Sequence, residues 1–207
     1  MKISYAITVA DEEKEIISLI SHLTEYIRDE DEIVVLLDKS KANANILNYL
    51  HALRDNETII LHEKVFNNDF AYWKNLLIDL CSGDFIFQID ADEIPNEFLI
   101  NLLPNLLENN SQVDLYLVPR INIVVGLEDE DIKKWRWDVN ENGWVNFPDF
   151  QTRIFKNIPS IRWEGKVHER IKGNTNHSLL PLLEDYSLLH IKTIEKQRKQ
   201  NQLYASI

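Results

Sequence analysis

Apolar runs and helix-spaced apolar positions take turns along the first half of the chain. Ile3 to Val9 predicts a buried strand, and Asp11-Glu12-Glu13 predicts a helix start, because acidic residues suit the positive end of a helix dipole. Ile16, Ile17, Leu19, Ile20 and Leu23 then recur at helical spacing. "EIVVLLDKS" is a continuous apolar run, the mark of a strand covered on both faces. "ANILNYLHAL" is helical and "TIILHE" predicts a third strand. From Asp69 to Leu80, helical spacing sets Phe70, Trp73, Leu76, Leu77 and Leu80 on one face. "DFIFQID" predicts a fourth strand, and a helix follows from about Pro95 to Leu107.

Strand and helix in alternation predict an α/β fold with a mostly parallel central sheet flanked by helices. Ligands of such sheets gather at the carboxyl ends of the strands. Asp11, Asp38 and Asp90 all fall at or just beyond predicted strand ends. The second half reads differently. "VDLYLVPRINIVV" predicts a strand and its continuation, and "GLEDEDIKKWRWDVNENGW" is charged, aromatic and irregular. "FQTRIFKNI" and "IRWEGKVHERIKG" alternate as antiparallel strands do. A polar helix beginning near Thr193 ends the chain. With no internal repeat and no Gly/Ser linker, residues 1–207 are expected to form a single domain. The pattern ends without a helix stop signal, so the chain is also expected to be a piece of a longer polypeptide with additional domains.

Composition narrows the function classes. At 207 residues and 44% hydrophobic, the chain can bury a sizeable core. The net charge of −12 argues against a nucleic-acid partner, which requires a clustered basic face. It leaves room for an anionic small ligand, because a divalent cation reverses the sign locally. One cysteine, Cys81, allows neither an intrachain disulfide nor a cysteine-based zinc site. The N-terminal residues do not read as a secretion signal and no window reads as a transmembrane segment, so a cytoplasmic location is expected.

The stretch "FIFQIDADEIP" drives an apolar strand into Asp90-Ala91-Asp92-Glu93 and closes at Pro95. Carboxylate oxygens are the hard ligands Mg²⁺ and Mn²⁺ prefer, and diphosphate oxygens can complete such a shell. The plainer account is a solvated turn with helix-capping acids. The buried strand before it and Pro95 after it favour a site at the ligand-binding edge. Glu93 is expected to cap the following helix or to bond locally, and not to be a ligand.

"FNNDFAYWKNLLIDLCSGDFIFQIDADEIPNEF" resembles the nucleotide-sugar-binding half of GT-A fold glycosyltransferases, especially family 2 and its LPS-type β-glucosyltransferase branch. The shared features are an aromatic-Asn-x-Asp-Phe stretch, a helix with Lys-Asn, a Gly-Asp pair and a strand ending in Asp-Ala-Asp-Glu. The resemblance implies a Rossmann-like GT-A domain, with residues 1–110 as the nucleotide-sugar-binding half. Residues 111–207 become the acceptor-binding half, with a small antiparallel portion. It also implies transfer, with inversion, from a nucleotide-sugar donor, with a UDP-sugar as the expected one, to a glycan or other hydroxyl acceptor. The cofactor would be Mn²⁺ or Mg²⁺.

The family's first strand and nucleotide loop match "ISYAITVADEEKEI", which implies Thr8, Ala10 and Asp11 beside the base and ribose, although Asn-Glu is commoner than Asp11-Glu12. Asp38 is implied to bind the base, with strand capping as its plain alternative; Lys39-Ser40 departs from the usual Asp-Asp-Gly-Ser. Asp69, Lys74 and Ala91 join the donor side, with Lys74 toward the diphosphate or simply exposed. Asp92 is implied as the main metal ligand, Asp90 reaches ribose or metal, and His190 completes the shell. Glu169 is the first choice for catalytic base and Asp149 the second, with an ion pair to Arg153 or Arg170 as the structural alternative for either. On the acceptor side stand Trp144, Trp163 and His168, from a chain that also holds Trp135 and Trp137, some of them packing residues. Two other readings stand beside this one, a non-catalytic nucleotide-sugar or glycan-binding module of a larger protein and a nucleotidyltransferase. The glycine-free "ITVADEEKE" argues against the second.

Overall fold

A computed structural model describes residues 1–166 and 168–204. The chain runs β1 (Ile3–Val9), α1 (Glu13–Tyr26), β2 (Glu32–Asp38), α2 (Ala44–Asp55), β3 (Ile60–Lys64), α3 (Phe70–Asp79), β4 (Phe85–Asp90) and β5 (Glu93–Pro95). It continues through α4 (Glu97–Asn109), β6 (Leu115–Val125), α5 (Asp129–Trp135), β7 (Asp149–Lys156), β8 (Arg162–Glu164) and β9 (Arg170–Lys172). The last elements are β10 (His177–Leu179), β11 (Leu188–Thr193) and α6 (Ile194–Tyr204).

The main sheet has the order β3-β2-β1-β4-β7-β6-β11-β5, with β10 also paired to β6. β3, β2, β1 and β4 are parallel, and β7 enters antiparallel between β4 and β6. One sheet therefore crosses the expected divide near residue 110. β8 and β9 form a separate antiparallel pair.

Strand alternation explains how the sheet is covered on both sides. Ile3, Tyr5, Ile7 and Val9 of β1, Ile33, Val35 and Leu37 of β2, and Phe85, Phe87 and Ile89 of β4 share one cluster. It is sealed by Ile16, Leu19, Ile20 and Leu23 of α1 and by Leu99, Ile100, Leu103 and Leu107 of α4. The intervening Ala6, Val34, Leu36 and Ile86 face the other way, onto Ala71, Trp73, Leu77 and Ile78 of α3. Each fully buried aliphatic side chain contributes about 1.5–3 kcal/mol. The register Thr8↔Asp90 and Thr8↔Leu36 then assigns Thr8, Asp38 and Asp90 to the α3 face of the sheet, at its carboxyl edge.

Three expectations need correction. The helix after the carboxylates starts at Glu97, with Asn96 as its cap, because Glu93–Pro95 is drawn into β5 against β11. The stretch after Gly126, expected to be irregular, holds α5, with Asp131 buried and accepting from Arg198 at 2.7 Å. On α3 the buried residues are Ala71, Trp73, Leu77 and Ile78, whereas Phe70 is 46% exposed at the helix entrance.

Candidate active site

Parallel strands ending at one edge leave a cavity of about 500 Å³. Thr8, Ala10, Asp11, Asp38, Lys74, Asp90, Ala91, Asp92, Glu169 and His190 all line it, together with Phe66, Arg120 and Lys192. Asp69 is not among the lining residues. It caps α3, accepting from the Tyr72 N–H at 2.9 Å.

Asp38 is almost buried, and its Oδ1 accepts from the Ser40 N–H at 3.1 Å, the Ser40 hydroxyl at 2.6 Å and the Phe66 N–H at 3.2 Å. Burial alone would raise its pKa, but these donors outweigh it and hold the carboxyl ionised. The Lys39-Ser40 departure thus keeps a serine donor at the carboxylate.

Glu93, at 0% exposure, is the centre of the site's polar support. Its Oε1 accepts from Arg153 at 2.6 Å and from Arg120 at 2.9 Å, and its Oε2 accepts from the Asp90 N–H at 3.2 Å. Arg153, itself buried, also donates to Asp90 Oδ2. Arg120 continues to Asp149 Oδ2 at 2.8 Å. The same oxygen accepts from Asn122 Nδ2 at 2.9 Å, and Asn122 Oδ1 lies 2.7 Å from His190 Nδ1. His190 Nε2 finally lies 3.3 Å from Asp92 Oδ2. Asp90 and Asp92 are therefore joined through a chain of side chains that passes beneath them. Glu93 neither caps α4 nor bonds only locally, because Arg120 and Arg153 reach it from β6 and β7.

This chain sets protonation as well as position. With Asn122 Nδ2 donating to Asp149, its Oδ1 must accept, so His190 Nδ1 carries a hydrogen. Nε2 is then aimed at a carboxylate oxygen, an arrangement completed by a proton or by a cation shared between them. For Asp92, burial acts to raise the pKa, but His190, Lys192 and Lys196 outweigh it and hold the carboxyl well below its usual range. Burial likewise opposes ionisation of Asp90, which Arg153 and Lys74 overcome.

These donors fit a divalent ion in one respect and not in another. Among the described residues no group of three or more His, Cys, Asp or Glu side chains is gathered for a metal. A carboxylate facing an imidazole oriented through its other nitrogen does suit an ion that keeps water and draws further ligands from substrate phosphates. Asp92 and His190 are the residues that would hold it.

The base candidates differ in their surroundings. Glu169 Oε1 accepts from Lys74 Nζ at 2.6 Å, and that ammonium sits 4.3 Å from the Trp163 ring centroid. Its partner is thus Lys74, and not Arg153 or Arg170. Asp149 pairs with Arg120, and also accepts from Asn122 and from Gln151 at 2.7 Å. Burial would raise its pKa, but Arg120 and these donors bring it down.

Trp163 is nearly buried, donates its indole N–H to Gln88 at 2.9 Å and offers its face to Lys74. Trp144 is half-buried and packs edge-on against Phe147 with ring centroids 4.8 Å apart. His168 is exposed, with a φ of 57°. Trp137, one of the clustered tryptophans, lines a neighbouring cavity of about 300 Å³ with Asn122, Pro148, Asp149 and His190. Arg120, Asn122 and Arg153 were missed as site residues. Their signal was weak, since cations and amides on alternate strand positions are common, and only the order of strands brings the two arginines to Glu93 and Asn122 between Asp149 and His190.

Comparison with known proteins supplies the family. The model of Glycosyl transferase family 2 matches residues 4–173. A search of curated protein sequences found no match. Among solved structures, S. aureus TarS 1–349 in complex with UDP-GlcNAc superposes with a TM-score of 0.65 at 15% identity, covering 93% of this chain and 59% of that one. The same fragment with UDP gives a TM-score of 0.62 at 16% identity, covering 94% and 61%. Against a further TarS structure the TM-score is 0.63 at 15% identity, and the present chain covers 37% of its length. The chain thus spans less than two thirds of the TarS chains it resembles. No described helix is long and apolar enough to cross a membrane. The carboxyl-edge cavity, the mostly parallel sheet and the family match agree, and the chain belongs to glycosyl transferase family 2, a glycosyltransferase with the GT-A fold.

Proposed function

We propose that the enzyme transfers a sugar, with inversion at the anomeric carbon, from a UDP-sugar to a hydroxyl of a glycan or other acceptor, assisted by Mn²⁺ or Mg²⁺. The observation that carries this reading is the convergence of Thr8, Asp38, Asp90, Asp92 and His190 on one cavity. The UDP-GlcNAc and UDP complexes of TarS support the choice of nucleotide by likeness of fold. In this reading Thr8, Ala10 and Asp11 flank the nucleoside. Asp38, with Oδ1 occupied by Ser40 and Phe66, turns Oδ2 to a base N–H. Asp90, fixed by Arg153, receives the ribose. A bound divalent ion would neutralise charge on the departing diphosphate.

Glu169 removes the acceptor proton as the hydroxyl oxygen attacks the anomeric carbon. It is preferred over Asp149 because Asp149 already accepts from Arg120, Asn122 and Gln151. Asp149 instead positions His190 through Asn122. The acceptor enters beside Trp137 and Pro148, where the smaller cavity meets the larger one at Arg120 and His190.

The test is turnover of a panel of nucleotide sugars with Mn²⁺, by release of free nucleotide. Asp92→Ala should abolish metal-dependent turnover and keep its melting transition. Glu169→Gln should lower turnover by about 10²–10⁴ with little change in nucleotide affinity. Full turnover in Asp92→Ala would refute the metal reading, and full turnover in Glu169→Gln would refute the base.

A further inference from the structure

Lys192 stands two residues after His190 on β11, so both side chains leave the same face of the strand. Its Nζ lies 3.8 Å from Asp92 Oδ2, its side chain is 13% exposed, and it lines both the larger cavity and the one holding Asp149 and Trp137. Lys196 reaches the same Asp92 oxygen at 3.7 Å from the first turn of α6. That side chain is 42% exposed and is tied to Glu15 of α1 at 3.2 Å, and it does not line the larger cavity.

The charge around the cavity poses a problem for a diphosphate. Asp11, Glu12, Asp38, Asp90, Asp92 and Glu169 line it, in a chain of net charge −12. Among the cations on the wall, Lys41 acts on Asp38, Lys74 is drawn to Glu169 at 2.6 Å, and Arg120 is drawn to Glu93 at 2.9 Å and Asp149 at 2.8 Å. Lys192 is the cavity-lining ammonium beside Asp92, where a diphosphate would meet the strand-end carboxylates.

We propose that Lys192 binds the terminal phosphate of the nucleoside diphosphate, so that the site holds its leaving group by a fixed protein ammonium as well as by a divalent ion. The proposal rests on the reading of the larger cavity as the donor site. During transfer the bond from the anomeric carbon to the β-phosphate oxygen breaks, and its electron pair stays on that oxygen. The bond to the acceptor oxygen forms as its proton passes to the base. An ammonium facing the β-phosphate stabilises the growing charge with no proton moved. It would also give the apoenzyme an affinity for diphosphates that does not depend on metal.

Calorimetric titration tests this with UDP, GDP, ADP, CDP and dTDP, each with Mn²⁺ and with EDTA. The tightest diphosphate and its monophosphate are then carried to Lys192→Met, Lys192→Arg and Lys196→Met, with thermal melts to verify folding. The wild type should keep measurable diphosphate affinity in EDTA. Lys192→Met should weaken it about tenfold or more, the loss of one charge-assisted contact, while the monophosphate changes less than about twofold. Lys192→Arg should recover most of the loss, and Lys196→Met should cost less than Lys192→Met. Equal diphosphate affinity in Lys192→Met and wild type would overturn the proposal, as would equal losses for diphosphate and monophosphate. Binding by the wild type with Mn²⁺ but none in EDTA would overturn the lysine and leave the donor site standing. No binding of any diphosphate even with Mn²⁺ would overturn both.

Discussion

Substituting Glu93 by glutamine tests whether the support beneath Asp90 and Asp92 is held by charge. Glu93 is at 0% exposure and Arg153 at 3%, so neither ion can recover solvation when its partner is lost. Breaking a buried pair by removing one partner costs about 3–5 kcal/mol. Glutamine keeps the shape and one carbonyl oxygen for Arg120 and Arg153, but it loses the negative charge. It also sets an NH₂ against the Asp90 N–H that Oε2 accepts at 3.2 Å. The lower end, about 3 kcal/mol, is therefore expected. For a chain of this size about 2–4 °C of melting temperature corresponds to each kcal/mol, so Glu93→Gln should melt about 6–12 °C below wild type. Arg153→Met should be at least as damaging, since it leaves Asp90 and Glu93 facing each other without their shared cation. A Glu93→Gln/Arg153→Met double variant should lose less than the sum of the single losses by about 0.5–3 kcal/mol. The assay is thermal and urea unfolding followed by circular dichroism. A loss below about 2 °C for Glu93→Gln, or strict additivity in the cycle, would refute the claim that this network is coupled.

Four further outcomes follow from other parts of the structure. Burial would raise the Glu32 pKa, but donors from Lys2, Ser4 and Ser82 bring it down to about 2 from 4.5. The unfolded chain thus gains a proton that the folded chain refuses as pH falls from about 4.5 to about 2. Wild type should lose stability across that window, and Glu32→Gln should show a flatter acid limb in unfolding free energy against pH. Asn122→Ala removes the acceptor that fixes His190 Nδ1–H and should weaken Mn²⁺ about 10–100-fold in a metal titration with nucleotide present. Asp69→Ala should cost about 1 kcal/mol of stability through the lost α3 cap while nucleotide affinity stays within about twofold by calorimetry. Gly173 has a φ of +87°, and a Cβ there would stand 1.7 Å from the Ser160 carbonyl oxygen, so Gly173→Ala should destabilise the chain by at least about 1–3 kcal/mol in urea unfolding.

Much of the fold was legible because its first half is built from local signals. The continuous apolar runs of β1, β2 and β4 mark strands covered on both faces, and the structure covers them with α1 and α4 on one side and α3 on the other. Asp11, Asp38, Asp90 and Asp92 could be set at one edge for the same reason, since parallel strands end together. Phe70 was misplaced because helical spacing ranks apolar residues alike and does not show which ones lie past the edge of the sheet. The start of α4 was misplaced because β5 exists only through pairing with β11, nearly a hundred residues away.

Glu93 marks where local reading runs out. A glutamate after two aspartates, just before a helix, has every local feature of a capping or solvated acid. Its burial depends on Arg120 and Arg153, which sit on β6 and β7 among ordinary alternating strand residues. Those arginines converge on it because β7 runs antiparallel between β4 and β6, a strand order that no local periodicity encodes. The insertion pairs Phe87 of β4 with Ile154, and Arg120 of β6 with Asp149. The cations of the second half thereby come to lie under the carboxylates of the first. The division into a donor half and an acceptor half, natural along the chain, is crossed by the network at the one place where both substrates would meet. Under the proposed function, an ionic support shared by the two walls would fix the distance between donor and acceptor sites that a displacement reaction requires.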